Sequence, residues 1–135
     1  MYGANEVLGD TSEVVELARR MPLSQYAAGA TDADRRRLTG ALYEVAGPLV
    51  FSRLTRRLEL KRGHTACIAS LTALADDCLD RFEDDLGAVV SYVLRHANVP
   101  IDNLDAWICS RMTAATVDGY RRRRGERGAL QRPRL

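Results

Sequence analysis

Residues whose types and spacing can do chemistry gather in two places. The first is the run Arg121, Arg122, Arg123 and Arg124, preceded by Tyr120 and followed by Arg127, Arg132 and Arg134. Arginine forks grip phosphate with two hydrogen bonds at once, and a neighbouring aromatic ring can stack on an unpaired base. The run therefore points to nucleic acid, with Tyr120, Arg121, Arg122, Arg123, Arg124 and Arg127 as the contacts. The plainer reading is a solubilising tail, or cations set against the negative end of a helix dipole.

The second place is LADDCLDRFEDDL, which carries Asp76, Asp77, Asp80, Glu83, Asp84 and Asp85. Asp76, Asp80 and Glu83 or Asp84 fall on one helical stripe. Such a stripe can take Mg²⁺, and DDCLD fits the DDxxD pattern of prenyl-diphosphate enzymes. The chain is too short for the large helical barrel those enzymes need, and it has no second acidic motif. A solvated helix face is the preferred reading. Asp76, Asp77, Asp80 and Asp84 would then offer an acidic patch to a basic protein partner.

Other reactive residues are scattered. Cys67, Cys78 and Cys109 are odd in number and far apart, and no CxxC or CxxH pair exists, so no zinc site is expected. Each reads as a small buried hydrophobe among apolar helical positions. His64 and His96 stand alone at expected helix ends, where capping or surface roles suit them. No nucleophile elbow occurs, and Gly29 is isolated from any GK[ST]. Neither an enzyme nor a cofactor is expected.

These residues must be positioned by helices. A chain of 135 residues is one domain, or one domain with a tail. Ala, Leu, Arg, Glu and Asp dominate, and β-branched residues seldom alternate with polar ones, which favours an all-α bundle of four to six helices. The net charge of +2 hides an asymmetry: residues 121–135 carry +6 and residues 1–120 carry −4. An acidic body with a basic end suits a protein that touches nucleic acid at one place. Nineteen arginines stand against a single lysine, Lys61, a bias that carries no chemistry of its own. The polar, acidic start shows no signal peptide, and no apolar run is long enough for a membrane span, so a reduced, cytoplasmic protein is expected.

In order, residues 1–10 read as a loose leader and 13–21 as a short helix closed by Pro22. Residues 24–30 read as a loop. Thr31 and Asp32 open a helix with Leu38, Leu42 and Val45 inward. Gly47-Pro48 should kink or break it, since proline lacks a donor. Helix resumes with Leu49, Val50, Leu54 and Leu58 buried and ends at Arg62-Gly63. Thr65 is expected to cap a third helix carrying Ile68, Leu71, Leu74, Leu79 and Phe82, with a bend or weak point at Gly87. Asp102 or Asn103 caps the last helix, in which Leu104, Ile108, Met112 and Ala115 form the apolar strip. Trp107 is expected to bury against the 42–58 helix. Gly125 can end the last helix, leaving 1–124 as the helical domain and 125–135 as a disordered basic tail.

The Trp107 helix resembles region two of bacterial sigma factors, especially the small extracytoplasmic-function type. In that family a Trp-hydrophobic pair is followed, eleven residues after the Trp, by an Asp and then by arginines. Here Trp107-Ile108 is followed by Asp118, Tyr120 and the four arginines. Upstream, LYEVAGPLVFSRLTRRL resembles the first helix of the same region, and the likeness runs from about Leu38 to Arg124. The family's Asp-Leu-x-Gln segment has no faithful copy, the acidic stretch 76–85 being nearest, and Ala114 stands at the family's Asn. The resemblance implies a transcription protein that docks on RNA polymerase core and brings its arginine end to DNA. The alternative is a small helical adaptor or regulator of another protein, without DNA binding.

Overall fold

Apolar side chains recur every three or four residues through most of the chain, and most such stretches are helical. A computed structural model describes residues 11–131, with side chains as far as residue 125. Helices α1 (Thr11–Arg20) and α2 (Leu23–Gly29) join across Pro22. Helix α3 (Asp32–Val50) runs straight into a π turn (Phe51–Thr55) and then α4 (Arg56–Lys61). Two short 3₁₀ turns (Thr65–Ile68 and Leu71–Ala73) lead to α5 (Asp76–His96), and α6 (Leu104–Gln131) completes the described chain. No strand occurs among the described residues. With α3, the π turn and α4 taken as one rod, five helices form the all-α bundle that the composition predicts.

Helix α5 is the hub, packed on α6, α3 and α2. Its Phe82, Leu86, Val89, Val90 and Val93 share one core with Leu38, Leu42 and Val50 of α3 and with Leu104, Ile108 and Met112 of α6. The caps expected at Thr31 and Asn103 are present, while Thr65 caps no helix. Thr31 Oγ1 accepts from the Asp34 N–H at 3.1 Å, and Asn103 Oδ1 accepts from the Ala106 N–H at 3.1 Å. The turn before α6 is pinned to the α1–α2 corner. Ile101 N–H donates to Ala18 O at 2.7 Å, and Ser24 N–H donates to Ala97 O at 3.1 Å.

Several expectations need correction. Residues 24–30 are not a loop: Leu23 and Ala27, four apart, are buried and carry α2 onto the core despite its polar composition. No long helix starts at Thr65. Ser70 is fully extended (φ −167°, ψ 168°), and the helix begins only after Ala75. Gly87 lies inside an unbroken α5. Nor does Gly125 end α6, which runs on to Gln131; glycine inside a helix costs only about 1 kcal/mol relative to alanine. Trp107 is partly buried, its ring centroid 6.3 Å from that of Tyr92 on α5 and its face covered by the Arg111 guanidinium at 5.1 Å. The leader, residues 1–10, lies outside the described residues.

Helices α5 and α6 approach most tightly at Ala88 and Gly119. A Cβ built on Gly119 would lie 2.5 Å from the Ala88 Cβ, closer than real carbons come. Gly119→Ala should therefore lower stability by about 1–3 kcal/mol, less the gain in helix propensity of up to about 1 kcal/mol. Combining it with Ala88→Gly should restore most of the loss, because the clash is pairwise. Thermal melts of the single and double variants check this; equal losses in both would place the strain elsewhere.

Candidate functional site

A π turn three residues after Pro48 sets up the site. The Phe51 N–H is shared between Gly47 O and Pro48 O, and the Arg56 N–H reaches back five residues to Phe51 O. A π turn takes in an extra residue, so everything after it is rotated out of the α-helical phase. The residues expected inside, Leu54 and Leu58, end up only partly buried. Thr55 and Glu59 point inward instead, at 2% and 1% exposure. A carboxylate thus occupies a place that the apolar period assigns to leucine.

Glu59 is then fully partnered. Arg81 of α5 grips it with Nε on Oε2 at 3.0 Å and Nη2 on Oε1 at 2.9 Å. Arg62 adds Nη1 on Oε2 at 3.1 Å. The Cys78 thiol lies 3.2 Å from Oε1, and His64 Nδ1 lies 2.9 Å from the same oxygen. The Arg81 hydrogen bonds hold the Glu59 carboxyl down to about 2, outweighing burial, which raises it. Burial pushes the Cys78 thiol up to about 11, and its hydrogen bond to the Glu59 carboxylate adds to this.

Histidine 64 reaches Glu59 because of how α4 stops. Gly63 takes the left-handed conformation (φ 79°). Its N–H donates to Leu60 O at 3.0 Å, and the His64 N–H donates to Glu59 O at 2.9 Å, the two bonds of a Schellman ending. The next 3₁₀ turn closes with the Cys67 N–H on His64 O at 3.1 Å, and Arg56 Nε fixes its far end through Ile68 O at 3.0 Å. Cys67 Sγ comes within 3.5 Å of Cys78 Sγ, which lies 3.2 Å from His64 Nδ1. Two cysteines expected to sit among apolar helical neighbours therefore meet a histidine and a carboxylate. The spacing His64-x-x-Cys67 was the available signal; the third residue, Cys78, lies on another helix.

The arginine run stands across a cleft from this cluster. The cleft, about 570 Å³, lies between the Glu59–Arg81 pair, Asp84 and Asp85 of α5, and Tyr120 and Arg123 of α6. Burial raises the Asp85 carboxyl to about 6, with Arg123 pulling the other way. Arg123 is half-buried, while Arg121, Arg122 and Arg124 are exposed, and Arg124 lies over the Tyr120 ring at 5.7 Å. Arg127 belongs to α6, but its side chain falls outside the described residues. Of the acids expected to dock a partner, Asp76, Asp77, Asp80 and Asp84 are all exposed on α5. Asp118 is committed within the bundle, accepting from Arg95 Nη2 at 2.8 Å, which lowers its carboxyl. His96 stacks beside Tyr92 at 4.1 Å.

Comparison with protein-family models, curated proteins and solved structures finds no match to this chain. Fold and site together define an all-α bundle with a Glu–Arg–His–Cys cluster around a buried carboxylate at the end of one helix and an exposed arginine run on another. No helix among the described residues is long and apolar enough to cross a membrane.

Removing Arg81 would leave the Glu59 charge buried with weaker partners. Arg81→Ala should cost about 3 kcal/mol, the low end for breaking a buried pair, since Arg62 still faces Oε2. Glu59 titrates lower in the fold than its ordinary 4.5, so its contribution is complete above pH 4.5 and is lost as pH falls toward about 2. Denaturant unfolding of the native chain should show that loss, and Arg81→Ala should show a flatter profile over the same window. Identical profiles would mean that Arg81 does not set the Glu59 titration.

Proposed function

We propose that this chain binds nucleic acid through the exposed end of α6, in a transcription role like that of sigma factor region two. The observation that carries the reading is electrostatic. Beyond Ala115, the last buried residue of α6 among those whose side chains are described, Tyr120, Arg121, Arg122 and Arg124 are exposed. Among the described residues, none of these arginines is in an ion pair, whereas Arg19, Arg35, Arg37, Arg62, Arg81 and Arg95 all are. Cations left without carboxylates at the end of a rigid helix suit phosphate oxygens, and the accompanying tyrosine suits an unpaired base. Phosphate contacts supply affinity and orientation, so sequence choice would fall to Tyr120 or its neighbours.

The other half of the reading concerns a protein partner. Asp76, Asp77, Asp80 and Asp84 lie on the first turns of α5, exposed, and form an acidic patch suited to a basic docking surface. The resemblance to sigma region two makes RNA polymerase core the partner to try first.

Fluorescence anisotropy with labelled duplex and single-stranded DNA over a salt series tests the proposal. Three exposed arginines on phosphates should give a log–log salt slope of about −2.7 on duplex and about −2.1 on single strands. Arg121→Ala with Arg122→Ala should flatten the duplex slope by about 1.8 and weaken all sequences alike. Tyr120→Ala should weaken single strands more than duplex, by about 1–3 kcal/mol per stacked base. If neither form of DNA is bound in a salt-dependent way, with or without polymerase core, the reading fails and the chain is a protein-docking module.

A further inference from the structure

The cluster at the end of α4 is also a site for a metal ion. We propose that His64, Cys67 and Cys78 bind Zn²⁺ through Nδ1 and the two Sγ atoms, and that the ion fastens residues 62–75 to the bundle. Among the described residues, these three are the only His, Cys, Asp or Glu group of three or more whose donor atoms converge, all within 4.8 Å of one another.

The distances fit a zinc tetrahedron that has closed slightly on itself. Zinc takes thiolate at about 2.3 Å and imidazole nitrogen at about 2.0 Å, so tetrahedral edges should be about 3.7 Å between sulfurs and about 3.5 Å between sulfur and nitrogen. The observed separations are 3.5 Å for Cys67 Sγ to Cys78 Sγ and 3.2 Å for Cys78 Sγ to His64 Nδ1. The third edge, His64 Nδ1 to Cys67 Sγ, is within 4.8 Å, and side-chain shifts that even out the three edges admit the ion. Glu59 Oε1 lies 3.2 Å from Cys78 Sγ and 2.9 Å from His64 Nδ1. Arg81 Nη2 donates to Cys78 Sγ at 3.2 Å, a bond that would steady the thiolate when bound. The donor set is two soft sulfurs and an imidazole, which favours zinc over magnesium or calcium.

The surroundings supply the reason for an ion there. The crossover 62–75 contains only two short 3₁₀ turns, and Cys67 is its one buried residue. Apolar packing therefore does little to hold it. A bound ion would join α4, the crossover and the first turn of α5 at a single point, as structural zinc does in domains with little core. Access is open, since His64 is exposed and a groove runs along Gly63, His64, Cys67 and Cys78. On binding, the two thiols release their protons to solvent, and no electron is transferred.

The test uses the full chain, purified with reductant and freed of metal by chelator, then titrated with Co²⁺ and Zn²⁺. Expected are the strong visible bands of tetrahedral cobalt, a thiolate-to-cobalt charge-transfer band, and their loss on adding one equivalent of zinc. Zinc should also raise the melting temperature, because an ion bound only by the folded state stabilises it. His64→Ala and Cys67→Ser should each weaken cobalt binding by more than the about 10–100-fold typical of losing a hydrogen bond to a ligand. Cys109→Ser, on α6, should bind as the native chain does. His64 is exposed, so its variant should fold even where Cys78→Ser does not. The proposal is overturned if the reduced native chain takes up neither ion, or if Cys109→Ser loses binding as the others do.

Discussion

A buried carboxylate at Glu59 is the constraint around which this molecule is built. Taking a charge out of water costs several kcal/mol unless it is fully partnered. Four residues from three segments converge to partner it: Arg62 just past α4, His64 after the glycine ending, and Cys78 and Arg81 on α5. The His64 contact follows from the turn at Gly63, and the Cys78 and Arg81 contacts from the placement of α5 beside α4. The carboxylate thus fixes the register between the two helices more strictly than apolar packing could, since leucines would tolerate a slip and a forked pair does not. Such a cluster contributes geometry more than net stability, because a well-packed apolar replacement is often as stable.

The helices themselves were legible in the chain because they obey one period. Leu104, Ile108, Met112 and Ala115 form the buried strip of α6 as the spacing predicts, and Thr31 and Asn103 cap as their side chains suggest. What the period could not deliver is the site. Pro48 announced a disturbance, but its type does not say whether a kink, a break or a π turn follows, and the π turn places Glu59 inward while Leu54 and Leu58 are only partly buried. Cys67 and Cys78 looked like separate hydrophobes because ten residues, among them an extended Ser70, lie between them. Their meeting depends on a long-range return of the chain, which local spacing does not encode. The α2 helix was missed for a related reason: seven residues of polar composition are helical through tertiary support from Leu23 and Ala27.

Electrostatics divides the surface in a way that composition only partly foretold. The sequence placed positive charge at one end, yet most arginines before residue 121 that appear in contacts are engaged in the fold. Arg35 closes the end of α2 through Ala27 O and Ala30 O, and Arg19 holds Asp102 O. Arginine suits this work because its planar fork satisfies two acceptors at once. Among the described residues Arg20, Arg36, Arg53 and Arg57 are also exposed and outside the ion pairs, but only on α6 do such arginines follow one another in a run beyond the buried strip. That contrast, more than the count of arginines, is what favours an external anion.

The direction in which that end points is set where α6 crosses α5. Gly119 and Ala88 bring the two backbones close, and the neighbouring Asp118 accepts from Arg95. The ion pair is about two-fifths exposed on each side and is worth little as energy, about 0–1 kcal/mol. The rotation of α6 about its own axis is set by its buried strip, Leu104, Ile108, Met112 and Ala115, and the Asp118–Arg95 bond agrees with it. In that rotation Arg123 lines the cleft with Asp85, and Arg121, Arg122 and Arg124 are exposed. The aspartate that the sigma-like pattern places before the arginines is bonded to Arg95 of α5. The same cleft wall carries Arg81, so the grip on Glu59 and the aim of the arginine end share one face of α5.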